Sequence, residues 1–146
     1  MPTLKRLVTT HAPAEGVFAY LSDFANAAEW DSGTVACERI SGDGGPGTTY
    51  RNRSRFAGRE VELIYTVEEN AEPVFVIVGK NATTVSRDTI IVTPTANSGS
   101  SIEYTAEFTF SGPARFLGPL MQPLLARLGD ATAAQLARVL DEGASQ

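Results

Sequence analysis

Between residues 34 and 110 apolar and polar residues alternate in segments about ten residues long, and beyond residue 113 the period changes to three and four. Strand-period segments in series need one buried face each, and a single helix-period segment after them supplies the surface that covers it. The joints between segments are chemically distinct. Gly42-Asp43-Gly44-Gly45-Pro46-Gly47, Ala57-Gly58, Asn70 to Pro73, Asn81-Ala82 and Pro94 to Gly99 are turn and loop sequences. They divide an antiparallel meander into six strands near 34–41, 48–56, 59–69, 74–80, 83–93 and 101–110. After Ser111-Gly112-Pro113, Leu117, Leu120, Met121, Leu124, Leu125, Leu128, Leu136, Val139 and Leu140 mark a long amphipathic helix. Pro119 and Pro123 each lack a backbone donor, so a bend or restart is expected near 118–123, with regular helix from there to about residue 142.

Upstream, residues 3–11 read as one more strand, closed by Pro13. Val17, Phe18 and Leu21 then share a helical face, and Asp23 is placed to cap a second short helix, FANAAEW, that ends on Trp30. The expected architecture is α+β: a curved antiparallel seven-stranded sheet wrapped around the long C-terminal helix, with two short helices after the first strand. Neither repeats nor a linker interrupt residues 1–146, which read as a single domain. A curved sheet and a helix do not interdigitate along their whole length, and the gap they leave is an apolar hollow of the kind that holds small molecules.

Composition narrows the function classes. The net charge of −5 gives no positive field for nucleic acid or anionic lipid, and nucleic acid is excluded as an expected partner. No apolar run approaches a membrane span or a signal peptide, so a cytoplasmic protein without membrane insertion is expected. Cys37 and His11 are the only residues of their types, which excludes an internal disulfide and a Cys/His zinc site. Cys37 reads as a small hydrophobe in a strand, and His11 has no carboxylate or serine partner in the sequence. Nucleophile elbows, phosphate-binding loops and metal-ligand clusters are absent, and no cofactor is expected. Oligomeric state, a homodimer included, is left open.

The segments APAEGVFAYLSDFANAAEWD, GPGTTYR, DTIIVTP and SIEYTAEFTF, in this order and spacing, resemble the polyketide cyclase/dehydrase branch of the START-like (SRPBCC) superfamily over nearly the whole chain. The resemblance implies the helix-grip fold and a cavity that binds lipids, sterols, polyketides or plant hormones, with only some members catalysing a reaction. Ser32 stands near the place of a proline usual in that family, from which a more mobile loop at 31–33 is expected.

Alternation assigns faces within the strands. Thr48, Tyr50, Asn52, Ser54 and Phe56 point to the concave side, because the opposite set contains Arg51, Arg53 and Arg55, and burying unpaired charge costs several kcal/mol per ion. Val61, Leu63, Tyr65 and Val67 follow, as do Ile102, Tyr104, Ala106, Phe108 and Phe110. The arginines read as a solvated outer face paired with Glu60 and Glu62, or as a docking stripe for an acidic partner. Asp88 falls opposite Ala106, on the concave side, if the hairpin turns near residue 97. A carboxyl there holds its proton more tightly and can act as general acid or base, or be a hydrogen-bonded structural group.

The expected ligand-binding lining is therefore Tyr50, Asn52, Ser54, Tyr65, Asp88, Tyr104 and Phe108 on the sheet side, with Trp30 at one end of the hollow. Leu117, Met121, Leu124 and Leu128 face them from the helix. Two functions fit: binding of a small hydrophobic molecule, lipid-, sterol- or polyketide-like, or cofactor-independent polyketide cyclase/dehydrase chemistry with Asp88 and Tyr65 as catalytic groups.

Overall fold

A computed structural model of the chain describes residues 2–56, 58–113 and 118–144. Strand β1 (Thr3–Thr10) leads into helix α1 (Ala14–Ser22), a 3-10 turn (Phe24–Asn26) and a short helix α2 (Ala27–Trp30). Six strands follow: β2 (Thr34–Ser41), β3 (Thr49–Phe56), β4 (Arg59–Ala71), β5 (Val74–Lys80), β6 (Thr84–Pro94) and β7 (Ser100–Phe110). Helix α3 (Gly118–Ala144) closes the chain. The expected elements are all present, with strand ends within two residues of their expected positions.

All neighbouring strands are antiparallel, in the order β1-β7-β6-β5-β4-β3-β2, so the first strand returns to pair with the last and the sheet is open between β1 and β2. The β2–β3 and β4–β5 pairs shift register along their length, between Thr34 and Ala36, Arg39 and Ser41, and Val67 and Glu69. Arg51 pairs with Glu38 and Glu62, and Arg53 with Glu60, on the outer face, as the alternation requires.

Pairing places Tyr65 opposite Gly79 on β5. A Cβ at Gly79 would lie 2.6 to 2.8 Å from three atoms of the Tyr65 ring, so the ring rests on bare backbone. Glycine serves the same purpose in α3, where a Cβ on Gly129 would fall 2.2 Å from Leu4 Cδ1 and the helix can approach β1 closely.

Helix α3 begins at Gly118 and runs unbroken through Pro123. The break expected at 118–123 does not divide the described helix: Pro123 lies inside it, at the cost of the one intrahelical bond its missing N–H would make. Its buried line is Leu125, Gly129, Thr132, Leu136 and Leu140. Leu124, expected on that line, is 39% exposed, because each residue turns the helix by about 100° and Leu125 takes the inward position.

The core lies between the sheet and the helices α1, α2 and α3, the last contributing Leu136 and Leu140. Leu21, Phe24, Trp30, Tyr50, Phe75, Ile77, Ile90 and Ile102 are essentially solvent-free. Phe24 is its hub, with ring centroids 4.7 Å from Tyr65, 5.9 Å from Tyr50 and 6.4 Å from Trp30. Among the described residues the Trp30 indole N–H is the single buried side-chain polar group without a partner.

Candidate functional site

Between the sheet and α3 lies a cavity of about 160 Å³. Strands β3, β4, β6 and β7 supply its floor through Ser54, Phe56, Val61, Leu63, Tyr65, Ser86, Asp88, Tyr104, Phe108 and Phe110. Met121, Leu125, Leu128 and Thr132 of α3 form the roof, while Leu4, Asp31 and Gly33 close the sides. The wall is mainly apolar and aromatic, with a few convergent polar groups, which is the composition of a small-molecule site.

Asp88 is the centre of the polar floor. Register sets it opposite Ala106, where concave-facing positions of β6 and β7 coincide. It is 3% exposed, and its two carboxylate oxygens accept from different donors: Ser86 Oγ at 2.7 Å and the Tyr104 hydroxyl at 2.9 Å. Removal from water raises its pKa to about 6; the two hydrogen bonds work against that rise, and the charge of Asp31 adds to it. Burial, and then the charge of Asp88, hold the hydroxyls of Tyr65 and Tyr104 well above the ordinary tyrosine value, so both remain proton donors at neutral pH. The Tyr104 hydroxyl is thus spent on a carboxylate of the cavity floor.

A second polar chain borders the cavity at the α2–β2 loop. Asp31 Oδ1 accepts from Thr132 Oγ1 at 3.0 Å and from the Gly33 N–H at 3.2 Å, and Asp31 Oδ2 accepts from Thr34 Oγ1 at 2.8 Å. Thr34 in turn accepts from the Asn52 amide at 3.2 Å, and Asn52 accepts from Ser54 Oγ at 2.6 Å. Ser32, expected in a mobile loop, is tied to α3: its N–H and hydroxyl lie 3.2 and 2.9 Å from Thr132 Oγ1. Where a proline ring would stiffen the loop, the serine hydroxyl anchors it by bonding across to the helix.

Of the residues expected to line the hollow, Ser54, Tyr65, Asp88, Tyr104, Phe108, Met121 and Leu128 meet in this cavity. Trp30, Tyr50 and Asn52 do not border it. Trp30 and Tyr50 are each 1% exposed within the core, and Asn52 commits its amide to Thr34 and Ser54. Leu124 is directed away from it, for the helical reason given above, and Leu117 lies outside the described residues. Sequence reasoning missed Leu4, Asp31, Ser86, Leu125 and Thr132. Ser86 carried a signal, being two residues from Asp88 on the same strand face, and Thr132 another, as a polar residue four positions from both Leu128 and Leu136.

His11 bonds through its backbone N–H to Asp141, far from the cavity lining. Cys37 is half-buried in β2, and burial raises its thiol pKa to about 11, which makes it a poor nucleophile. Among the described residues no group of three or more His, Cys, Asp or Glu is arranged to hold a metal ion. No helix among them is long and apolar enough to cross a membrane.

An open antiparallel sheet gripping one long helix over a partly polar cavity defines the helix-grip class shared with START-like proteins. The sequence model described as polyketide cyclase / dehydrase and lipid transport matches residues 1–141, and the chain belongs to that family. Three solved structures illustrate the likeness of fold. A protein of Thermus thermophilus is 17% identical with a TM-score of 0.82, the match covering 99% of this chain and 100% of that one. A START superfamily protein from Mycobacterium smegmatis is 19% identical at TM-score 0.74, covering 99% and 97% of the two chains. The Zhui aromatase/cyclase from a Streptomyces species is 14% identical at TM-score 0.79, covering 94% and 92%. No curated protein matches the chain significantly.

Proposed function

We propose that this protein binds a small hydrophobic molecule in the cavity between the sheet and α3. The carrying observation is the cavity itself: apolar walls around a floor on which Tyr65, Ser86, Asp88 and Tyr104 converge. Its volume of about 160 Å³ resembles that of an engineered apolar cavity, about 150 Å³, that takes up benzene. A single ring or a short acyl segment fits; a sterol skeleton requires the walls to move. Membership of a lipid-transport and cyclase family, and the fold shared with an aromatase/cyclase, support the reading.

Dye displacement and native mass spectrometry test it, with Leu128→Trp as the control because the larger ring fills the space under the roof. Binding of apolar probes by the native chain, lost in the variant, is expected. Probes that bind equally to both sink the proposal.

One observation favours a second, enzymatic reading. Asp88 titrates near pH 6 beside two tyrosine donors, which suits a base that removes a proton next to a carbonyl while Tyr65 donates a hydrogen bond to the enolate oxygen. Asp88→Asn and Tyr65→Phe would each then lower turnover of a bound ketone by about 100-fold; unchanged turnover refutes those roles.

A further inference from the structure

The polar floor is asymmetric in what it offers. Asp88 has about four acceptor positions on its two oxygens, and Ser86 and Tyr104 occupy one on each. The remaining positions belong to a buried carboxylate that borders the cavity, where an unmet acceptor is costly and a donor from a ligand gains in strength. Asp31 lines the same cavity, so both acidic groups of the lining carry the same sign. Arg55 is the single cation among the described lining residues; it is exposed, on a strand position that alternates outward from Ser54 and Phe56. The hydroxyls of Ser54, Tyr104 and Thr132 already spend their protons on Asn52, Asp88 and Asp31, and so offer a ligand acceptor positions. Shape adds a further constraint, because aromatic walls from Tyr65, Tyr104, Phe108 and Phe110 surround a volume of one ring.

We propose that the cavity selects a single aromatic ring carrying a hydroxyl group, which donates to Asp88, and rejects the same ring carrying a carboxylate. The inference rests on the cavity being the binding site and adds the chemical class of the ligand. A hydroxyl satisfies one open acceptor without bringing charge into the cavity. A carboxylate brings a negative charge towards Asp31 and Asp88 and must lose its own hydration with no buried cation to replace it. The methyl-bearing ring fits the walls but leaves the acceptor unmet.

Phenol, toluene and benzoate are the probes, titrated calorimetrically into the full chain at about pH 7.5, where Asp88 is largely ionised. Phenol is expected to bind at least about 10-fold more tightly than toluene, and benzoate at least about 10-fold more weakly than phenol. Asp88→Ala should bring the phenol-to-toluene ratio close to one. Tyr104→Phe, which frees a further acceptor position on Asp88, should keep or raise that ratio, and it serves as the second variant if Asp88→Ala does not fold. Benzoate binding as tightly as phenol, or a ratio indifferent to Asp88→Ala or lowered by Tyr104→Phe, overturns the ligand class while toluene binding that is lost in Leu128→Trp keeps the cavity reading intact. Phenol and toluene binding that both survive Leu128→Trp reject the cavity as the site, and the inference with it.

Discussion

The Tyr104 hydroxyl donates to Asp88 Oδ2 at 2.9 Å across the β6–β7 pair, in a place where neither group reaches bulk water. Folding therefore confines a carboxyl group whose charged form is disfavoured. Its pKa rises from 3.8 to about 6, a change equivalent to about 3 kcal/mol. Because the folded state binds this proton more tightly than the unfolded state, the associated stability is complete below pH 3.8 and is lost as the pH rises through about 6. Asp88→Asn lacks the titration. Urea unfolding at a series of pH values should show the variant gaining on the native chain by up to about 3 kcal/mol as pH rises from about 4 to 8. A difference that stays flat with pH contradicts the assignment.

Gly79→Ala tests the bare patch beneath Tyr65. The added methyl falls under 3 Å from the ring, so the ring or the strand must shift, at a cost of about 1–3 kcal/mol. In the background of Tyr65→Leu the same substitution should cost much less. A double-mutant cycle by denaturant unfolding measures the difference, and zero coupling energy rejects the contact as the cause.

Much of this was legible in advance. Arginines at 51, 53 and 55 fixed the facing of β3, and its pairing with β4 carried that assignment to Tyr65. Turn chemistry fixed the hairpin that sets Asp88 against Ala106. Two things were not. The lining of α3 depended on helical phase, which adjacent leucines at 124 and 125 leave ambiguous until the helix is docked. The chain from Thr132 through Asp31 to Asn52 joins residues about a hundred positions apart, and no periodicity records a contact of that kind.

Thr132→Val keeps the shape of the side chain and removes its hydroxyl. Asp31 then loses a donor and the Ser32 N–H an acceptor, both partly buried, so unfolding should become easier by about 1–3 kcal/mol. Thr132→Ser should retain most of the native stability. Thr132→Val as stable as the native chain, measured by thermal or urea unfolding, rejects the hydroxyl's bonds as a source of stability.

On the outer face the expectation is of little change. Arg53 and Glu60 are 3.1 Å apart but nearly half exposed, and such pairs contribute about 0–1 kcal/mol. Arg53→Ala should leave the unfolding midpoint almost unmoved and phenol binding unaffected. A loss above about 2 kcal/mol shows that the stripe has a structural role beyond solvation.

Helix α3 is fastened on both flanks. Arg6 of β1 reaches Asp130 at 2.9 Å and the Ala126 carbonyl at 3.0 Å, while on the other side Asp31 and Ser32 hold Thr132 and the Glu29 carbonyl accepts from Gln135 at 2.7 Å. A roof clamped along two edges cannot swing aside like a door. If the cavity takes a guest as proposed, its exchange would depend on transient local opening of one seam, so that arrival and departure share a kinetic gate and residence time becomes a property of the seams as much as of the guest.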